Sequence, residues 1–107
     1  IRDRHSVLNT VGLDPKLKRP VGKFSLGMRQ RLALAQAIME DPPILILDEP
    51  MNGLDKNGVA EIRELLLKMK NENKLIILAS HNREDIEILC DEVYEMEDGI
   101  LRKIVKE

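Results

Sequence analysis

Aromatic side chains are nearly missing from this 107-residue chain: they make up 2% of it, Phe24 and Tyr94 being the whole set. Its core must therefore be aliphatic. Cysteine occurs once, as Cys90, which excludes an internal disulfide and a cysteine zinc site and suits a reducing compartment. Long hydrophobic runs are missing too. The purely apolar stretches, such as Leu75 to Ala79, fall far short of the roughly 18 residues that span a bilayer, and no signal-peptide pattern is present. Nor is there an excess of charge of one sign: 17 basic and 19 acidic residues leave a formal net charge of -2, which excludes a generally basic nucleic-acid binder. What is there, 43% hydrophobic and 34% charged residues, is the composition of a globular protein with one modest core. The first residue is Ile1 rather than Met, and the chain is expected to be a fragment of a longer one.

Charge is unevenly placed. Lys16, Lys18, Arg19, Lys23, Arg29 and Arg31 follow one another with no acid between them, and eight acids without a base run from Glu84 to Asp98. The basic stretch is either a phosphate-facing surface or a merely solvated one. There is no internal repeat. Pro15, Pro20, Pro42 and Pro43 cut the first half into short pieces. Val7, Leu8 and Val11 at helical spacing predict a helix over Arg4 to Val11, stopped by Gly12. Ser25 is placed to cap a second helix through Met39, with Met28, Leu32, Ala35 and Met39 on one face and Leu34 and Ile38 on another. Ile44-Leu45-Ile46-Leu47 lacks polar alternation, the pattern of a parallel strand covered on both faces. Asn52-Gly53 turns the chain into a helix marked by Val59, Ile62, Leu65, Leu66 and Met69. Then come a second buried strand at Leu75 to Ala79, a short helix from Arg83 to Cys90, and a hairpin of Val93 to Met96 and Ile100 to Val105 turning at Asp98-Gly99. Strands alternating with helices put the chain in the α/β class.

Chemistry gathers at the ends of the two buried strands. Asp48 and Glu49 directly follow Leu47, at the carboxyl end of a parallel strand, where open α/β sheets bind ligands. One carboxylate could hold Mg²⁺ and the other orient a water, the two tasks of phosphoryl transfer, or Asp-Glu-Pro is only a polar strand exit. His81 ends the other strand; if the strands are parallel neighbours, it shares one rim with the carboxylates, where an imidazole can bind phosphate oxygen or position water. The bland alternative is an ordinary polar residue, and His5, without such a context, is read that way. Ser25 and Gly27 open an apolar helix, whose N-terminal N–H groups form either an anion site or a plain cap. Asp55 is a functional carboxylate or the N-cap of the next helix.

Taken jointly and in order, four segments resemble the nucleotide-binding subunit of ABC transporters. Phe24-Ser25-Leu26-Gly27-Met28-Arg29-Gln30-Arg31-Leu32-Ala33-Leu34-Ala35 is similar to its signature motif, Ile44-Leu45-Ile46-Leu47-Asp48-Glu49-Pro50 to Walker B, Asn52-Gly53-Leu54-Asp55 to the D-loop and Ser80-His81 to the H-loop. The resemblance implies ATP and Mg²⁺ as cofactors, with Asp48 acting on the metal, Glu49 polarising the attacking water and His81 contacting the γ-phosphate. It implies that the signature residues Ser25, Leu26, Gly27 and Met28 bind nucleotide held by the other subunit of a sandwich dimer, Ser25 and Gly27 at its γ-phosphate, and that Asp55 lies on the dimer seam. The implied partners are a second nucleotide-binding subunit and a transmembrane permease. The implied location is cytoplasmic, at the inner face of the plasma membrane; no nucleic acid is expected. The implied fold is a P-loop NTPase-like, mostly parallel sheet with flanking helices. Residues 1–41 would end its helical subdomain and residues 42–107 would run from Walker B to the C-terminal strands.

Departures are as informative as matches. Leu26 stands where the usual signature has its first glycine and Met28 where it has glutamine, a variant similar to the ATP-binding subunits of bacterial antibiotic and multidrug exporters. A P-loop, Gly-x-x-x-x-Gly-Lys-Ser/Thr after a buried strand, is not in the chain: around Gly22-Lys23, Leu17 takes the first glycine position and Phe24 the hydroxyl position. In the family's sheet the P-loop strand lies between the strand ending at His81 and the strand Val93 to Met96, so the resemblance implies either a sheet interrupted between Leu75 to Ala79 and Val93 to Met96 or compensation by another chain, with Asp48, Glu49 and His81 still on one rim. The expected function is ATP hydrolysis powering export, carried as the C-terminal part of the ATPase. Two alternatives differ in class: an ABC-type ATPase acting on ribosomes or DNA, marked by coiled-coil arms or tandem domains in the whole protein, and a non-catalytic module marked by metal binding without nucleotide dependence.

Without a P-loop, and with Asp48, Glu49 and Asp55 on the rim and no lysine to offset them, the 107-residue chain alone is expected neither to bind ATP tightly nor to hydrolyse it. Equilibrium binding of labelled ATP and a phosphate-release assay check this, and robust turnover by the chain alone would contradict it.

Overall fold

The computed structural model describes residues 4–16 and 18–104. In chain order they form α1 (Arg4–Thr10), a 3-10 turn (Val21–Lys23), α2 (Leu26–Ile38), β1 (Ile44–Asp48), α3 (Lys56–Asn71), β2 (Leu75–Ala79), α4 (Arg83–Leu89), β3 (Val93–Glu97) and β4 (Ile100–Ile104). Leu17, and the Val105 end expected for the last strand, lie outside the described residues. The boundaries have local causes. α1 stops where Gly12 takes φ +84°. Ser25 caps α2 through its Oγ, which accepts from Met28 N–H at 3.1 Å. Asp55 caps α3 in the same way on Gly58 N–H at 2.7 Å, and Asn82 caps α4 on Asp85 N–H at 2.9 Å. Each cap satisfies an N–H that a helix start leaves without an intrahelical acceptor.

The core is aliphatic, as the composition requires. Val7 and Val11 of the first segment, Leu34, Ala35 and Ile38 of α2, Leu45 and Leu47 of β1, Ile62, Leu66 and Met69 of α3, and Leu89 of α4 are all buried in one cluster. Polar ties hold its periphery, among them the following. Arg31 on α2 donates both to Val11 O and to Glu61 on α3. Arg63 on α3 grips the buried Asp85 of α4 at 2.6 Å. Lys74 reaches Pro42 O and Asp41 ahead of β1. The Arg63–Asp85 pair matters most, because a buried carboxylate without its partner is costly.

β1 and β2 pair in parallel, Ile44 opposite Leu75 and Asp48 opposite Ala79. The sequence pattern of strands covered on both faces is met on one face only. Leu45 and Leu47 point into the core, whereas Ile44, Ile46, Leu75 and Ile77 on the other face are 50–74% exposed. That second face is left open among the described residues. β3 and β4 form a separate antiparallel hairpin. Asp98 and Gly99, with φ +51° and +76°, make the two-residue turn whose twist matches the strands. No pairing joins β2 to β3, which is the interruption expected in the sheet.

The asymmetry of the two faces can be measured. Ile62→Ala removes a side chain only 2% exposed and should cost about 2–5 kcal/mol. Ile46→Ala, at a position 74% exposed, should cost no more than about 1 kcal/mol. Urea unfolding of the 107-residue chain checks both, and equal losses would mean that something covers the outer face.

Candidate functional site

Parallel strands of equal reach bring their ends to one rim. Asp48 ends β1, and Glu49 continues the ladder by donating its N–H to Ala79 O at 2.8 Å. The chain then folds back sharply: Asn52 N–H donates to Glu49 O at 3.1 Å and Leu54 N–H to Met51 O at 3.1 Å. Making this exit puts Glu49 in the left-handed region, at φ +47°. A side chain there costs on the order of 1–2 kcal/mol. Among the described residues the other non-glycine positions with positive φ are Asp41, Asn73 and Asp98, types that tolerate the region. Glu49 is thus the one held there by its surroundings, as is common at functional positions.

Part of those surroundings comes from the exit of β2. The His81 backbone N–H donates to Glu49 Oε1 at 2.8 Å, and the His81 imidazole Nδ1 lies 2.6 Å from the same oxygen. An ionised carboxylate only accepts, so the ring proton sits on Nδ1. The imidazole is otherwise fully open to solvent while Glu49 is half-buried, and no described residue bonds Nε2 or Glu49 Oε2. The Asp48 carboxylate is exposed and makes no hydrogen bond or ion pair among the described residues. Among those residues no group of three His, Cys, Asp or Glu is placed to enclose a metal ion. One open carboxylate nevertheless suits Mg²⁺, which commonly takes one or two protein carboxylates and completes its shell with waters and substrate phosphates.

The residues expected to contact nucleotide gather one turn away. Ser25 Oγ is engaged as the α2 cap, and the start of α2 is seated on the turn that follows Glu49. A Cβ on Gly27 would stand 3.0 Å from Gly53 O, and one on Gly53 would stand 2.6 Å from Leu26 Cγ. The bulk of Leu26 is therefore accommodated by Gly53, a partner 27 positions on. Met28 accepts a weak contact to its sulfur from Arg19 at 3.8 Å. Asp55 performs the capping role, on Gly58. The structure so joins Glu49 to His81 directly, and Leu26 and Gly27 to the Gly53-Leu54 turn. The open groove lined by Asn9, Gly12, Glu61 and Lys68 involves none of these residues.

Two polar side chains of α2 make contacts to which the motif assigns no role. Gln30 Nε2 donates to Glu49 O at 3.0 Å, and Arg31 bridges to Val11 O and Glu61. Their signal was available: both are long polar residues on a helix that is apolar around much of its circumference, and a half-buried polar group there must find a partner.

The chain is similar to several known proteins. The family model described as ABC transporter matches residues 2–52. The uncharacterized ABC transporter ATP-binding protein YybJ of Bacillus subtilis (strain 168) is 50% identical over 94 residues, covering 88% of this chain and 43% of that protein. The bacitracin transport ATP-binding protein BcrA of Bacillus licheniformis is 48% identical, covering 89% of this chain and 31% of that protein. The lantibiotic transport ATP-binding protein SrtF of Streptococcus pyogenes is 48% identical, covering 79% and 37%. The chain thus spans between 31% and 43% of the length of these relatives. Among solved structures, a dimeric post-hydrolysis state of the ATP-binding cassette MJ0796 bound to ADP and Pi matches with a TM-score of 0.82 at 23% identity, over 95% of this chain and 46% of that one. At that identity the likeness carries the fold, an α/β arrangement of the P-loop NTPase kind.

The seat of α2 on the turn yields a stability prediction. Gly53→Ala combines a positive φ with a methyl group driven into Leu26, and should destabilise the chain by about 1–3 kcal/mol. In a Leu26→Ala background the loss should shrink, because the collision is removed while the φ strain remains. Denaturation midpoints of the four variants check this; strictly additive losses would place Leu26 elsewhere.

Proposed function

The chain belongs to the ABC transporter ATP-binding proteins, and from that premise we propose that it is the C-terminal part of an ATPase subunit that drives export across a membrane. The observation that carries the reading is the Glu49–His81 contact at the shared end of two parallel strands. Glu49 is the water-polarising carboxylate, fixed by its backbone and by His81 so that one oxygen is engaged and the other is left to accept a proton from water. His81 faces the γ-phosphate through Nε2. Since Nδ1 donates to Glu49, a second donation to phosphate from Nε2 requires the imidazolium form, whose positive charge then lies between two anions. Asp48 offers the open carboxylate for Mg²⁺, which when bound neutralises phosphate charge.

Ser25, Leu26, Gly27 and Met28, at the start of α2, present backbone N–H groups and one hydroxyl to the γ-phosphate of ATP held by a second nucleotide-binding subunit. Asp55, next to that start through the Gly53 turn, lies at the same seam. Residues 1–41 then close a helical subdomain and residues 42–107 complete the nucleotide-binding core. The remainder of the domain, with a P-loop, is supplied by the protein of which this chain is part, and its strand would fill the interval between β2 and β3. None of the described helices is long and apolar enough to cross a membrane. The subunit works from the cytoplasmic side through a permease, a reading supported by the likeness to ATP-binding proteins of transporters. The likeness to bacitracin and lantibiotic transport proteins supports transport of an antibiotic of that kind.

In the intact parent protein, Glu49→Gln should preserve ATP binding and lower turnover by about 10²-fold or more, because the amide keeps the size of the carboxylate but not its basicity. His81→Ala should slow hydrolysis with little change in ATP affinity. Nucleotide binding and phosphate release measured side by side test both, and near-normal turnover in the Glu49 variant would remove that residue from catalysis.

A further inference from the structure

α2 reaches the end of β1 through one side chain. Gln30 is half-buried, and its Nε2 donates to the backbone carbonyl of Glu49 at 3.0 Å. A carbonyl only accepts, so the amide must present its nitrogen there. The same carbonyl accepts Asn52 N–H at 3.1 Å, the Glu49 N–H is taken by Ala79 O at 2.8 Å, and the carboxylate is taken by His81. Three of these ties come from β2 and its exit or from the adjacent turn. The Gln30 tie alone comes from the helix whose first residues are Leu26, Gly27 and Met28.

Glu49 needs such ties. Its φ of +47° is disfavoured for a residue whose side chain is too long to compensate by bonding its own backbone, so the conformation lasts only while neighbours over-determine it. If the peptide after Glu49 rotated out of this region, its carbonyl would leave both Gln30 and Asn52, and the Cα–Cβ bond would swing away from His81. The aim of the carboxylate is therefore coupled to the seat of α2.

We propose that Gln30 is a positioning residue for hydrolysis, one that pins the Glu49 peptide in its left-handed turn from the signature helix and so makes the alignment of the water-polarising carboxylate depend on where that helix sits. This rests on the ATPase reading above and adds to it a residue that touches neither nucleotide nor water. A shift of α2 relative to β1 lengthens the Gln30 bond first, since the other ties to Glu49 lie within the strand pair and its turn.

The test uses the full-length ATPase. Gln30→Met keeps side-chain length and helix propensity and deletes only the donor. It is expected to lower kcat by about ten-fold while the KM for ATP stays within about two-fold and the melting temperature is little changed, the signature of misplacement rather than lost binding. In a Glu49→Gln background, Gln30→Met should lower the residual turnover no further, because it acts through the Glu49 carboxylate. An unchanged kcat, a loss that follows a lowered melting temperature, or the same fold-loss in the Glu49→Gln background would each overturn the role of Gln30 alone. A full-length protein that does not hydrolyse ATP at all would instead overturn the parent reading together with this one.

Discussion

The register of a single pair of strands carries the site. Because β1 and β2 run parallel with Asp48 opposite Ala79, the first residue past one strand and the second past the other meet, and one carboxylate oxygen accepts both the backbone and the ring N–H of His81. A slip of one residue would turn Leu45 and Leu47 out of the core. A slip of two would keep them inside but separate Glu49 from His81 by about 7 Å. Burial of Leu45 and Leu47 against α2 and α3 thus fixes the face, the ladder fixes the level, and together they leave one arrangement in which the two groups touch.

Around this pair, α2 acts as a wedge whose polar residues are its anchors. Arg31 ties it to the end of α1 and to α3, and Gly12 and Gly58 leave the guanidinium its space, since a Cβ on either would fall within 2.7 Å of it. At its N-terminal end the helix rests on Gly53 and Leu54, and Gln30, one turn further in, touches Glu49. The motif segments that lie far apart in sequence are thus one mechanical unit: the start of α2, the turn after Glu49 and the cap of α3 at Asp55 share contacts from end to end.

The outer face of the strand pair shows the converse. Ile44, Ile46, Leu75 and Ile77 are of a kind with the residues buried on the inner face, yet half or more of each is open. The hairpin is similar, with Tyr94, Met96, Ile100 and Leu101 exposed. Apolar strands without alternation belong to sheets enclosed by two layers, and the described residues provide one.

Helix and strand positions were legible in the sequence because their causes are local: apolar spacing, Ser25 and Asp55 at helix starts, Gly12 after α1, and Asp98-Gly99 at the hairpin. The parallel class could be read from the unbroken apolar run of β1, and the placing of Asp48, Glu49 and His81 at strand ends followed from it. Coverage of both faces could not be read, because residue type records what a strand tolerates and not which layers are present. Contacts closed over long stretches of chain were also beyond reach. Glu49 and His81 are 32 positions apart and Gln30 and Glu49 are 19 apart, so no local preference encodes either meeting. Sequence by itself determined which side chains stand at the ends of which elements; only the packing of α2 and β2 against β1 decided that they touch, and that Glu49 is held in a conformation its own chemistry disfavours.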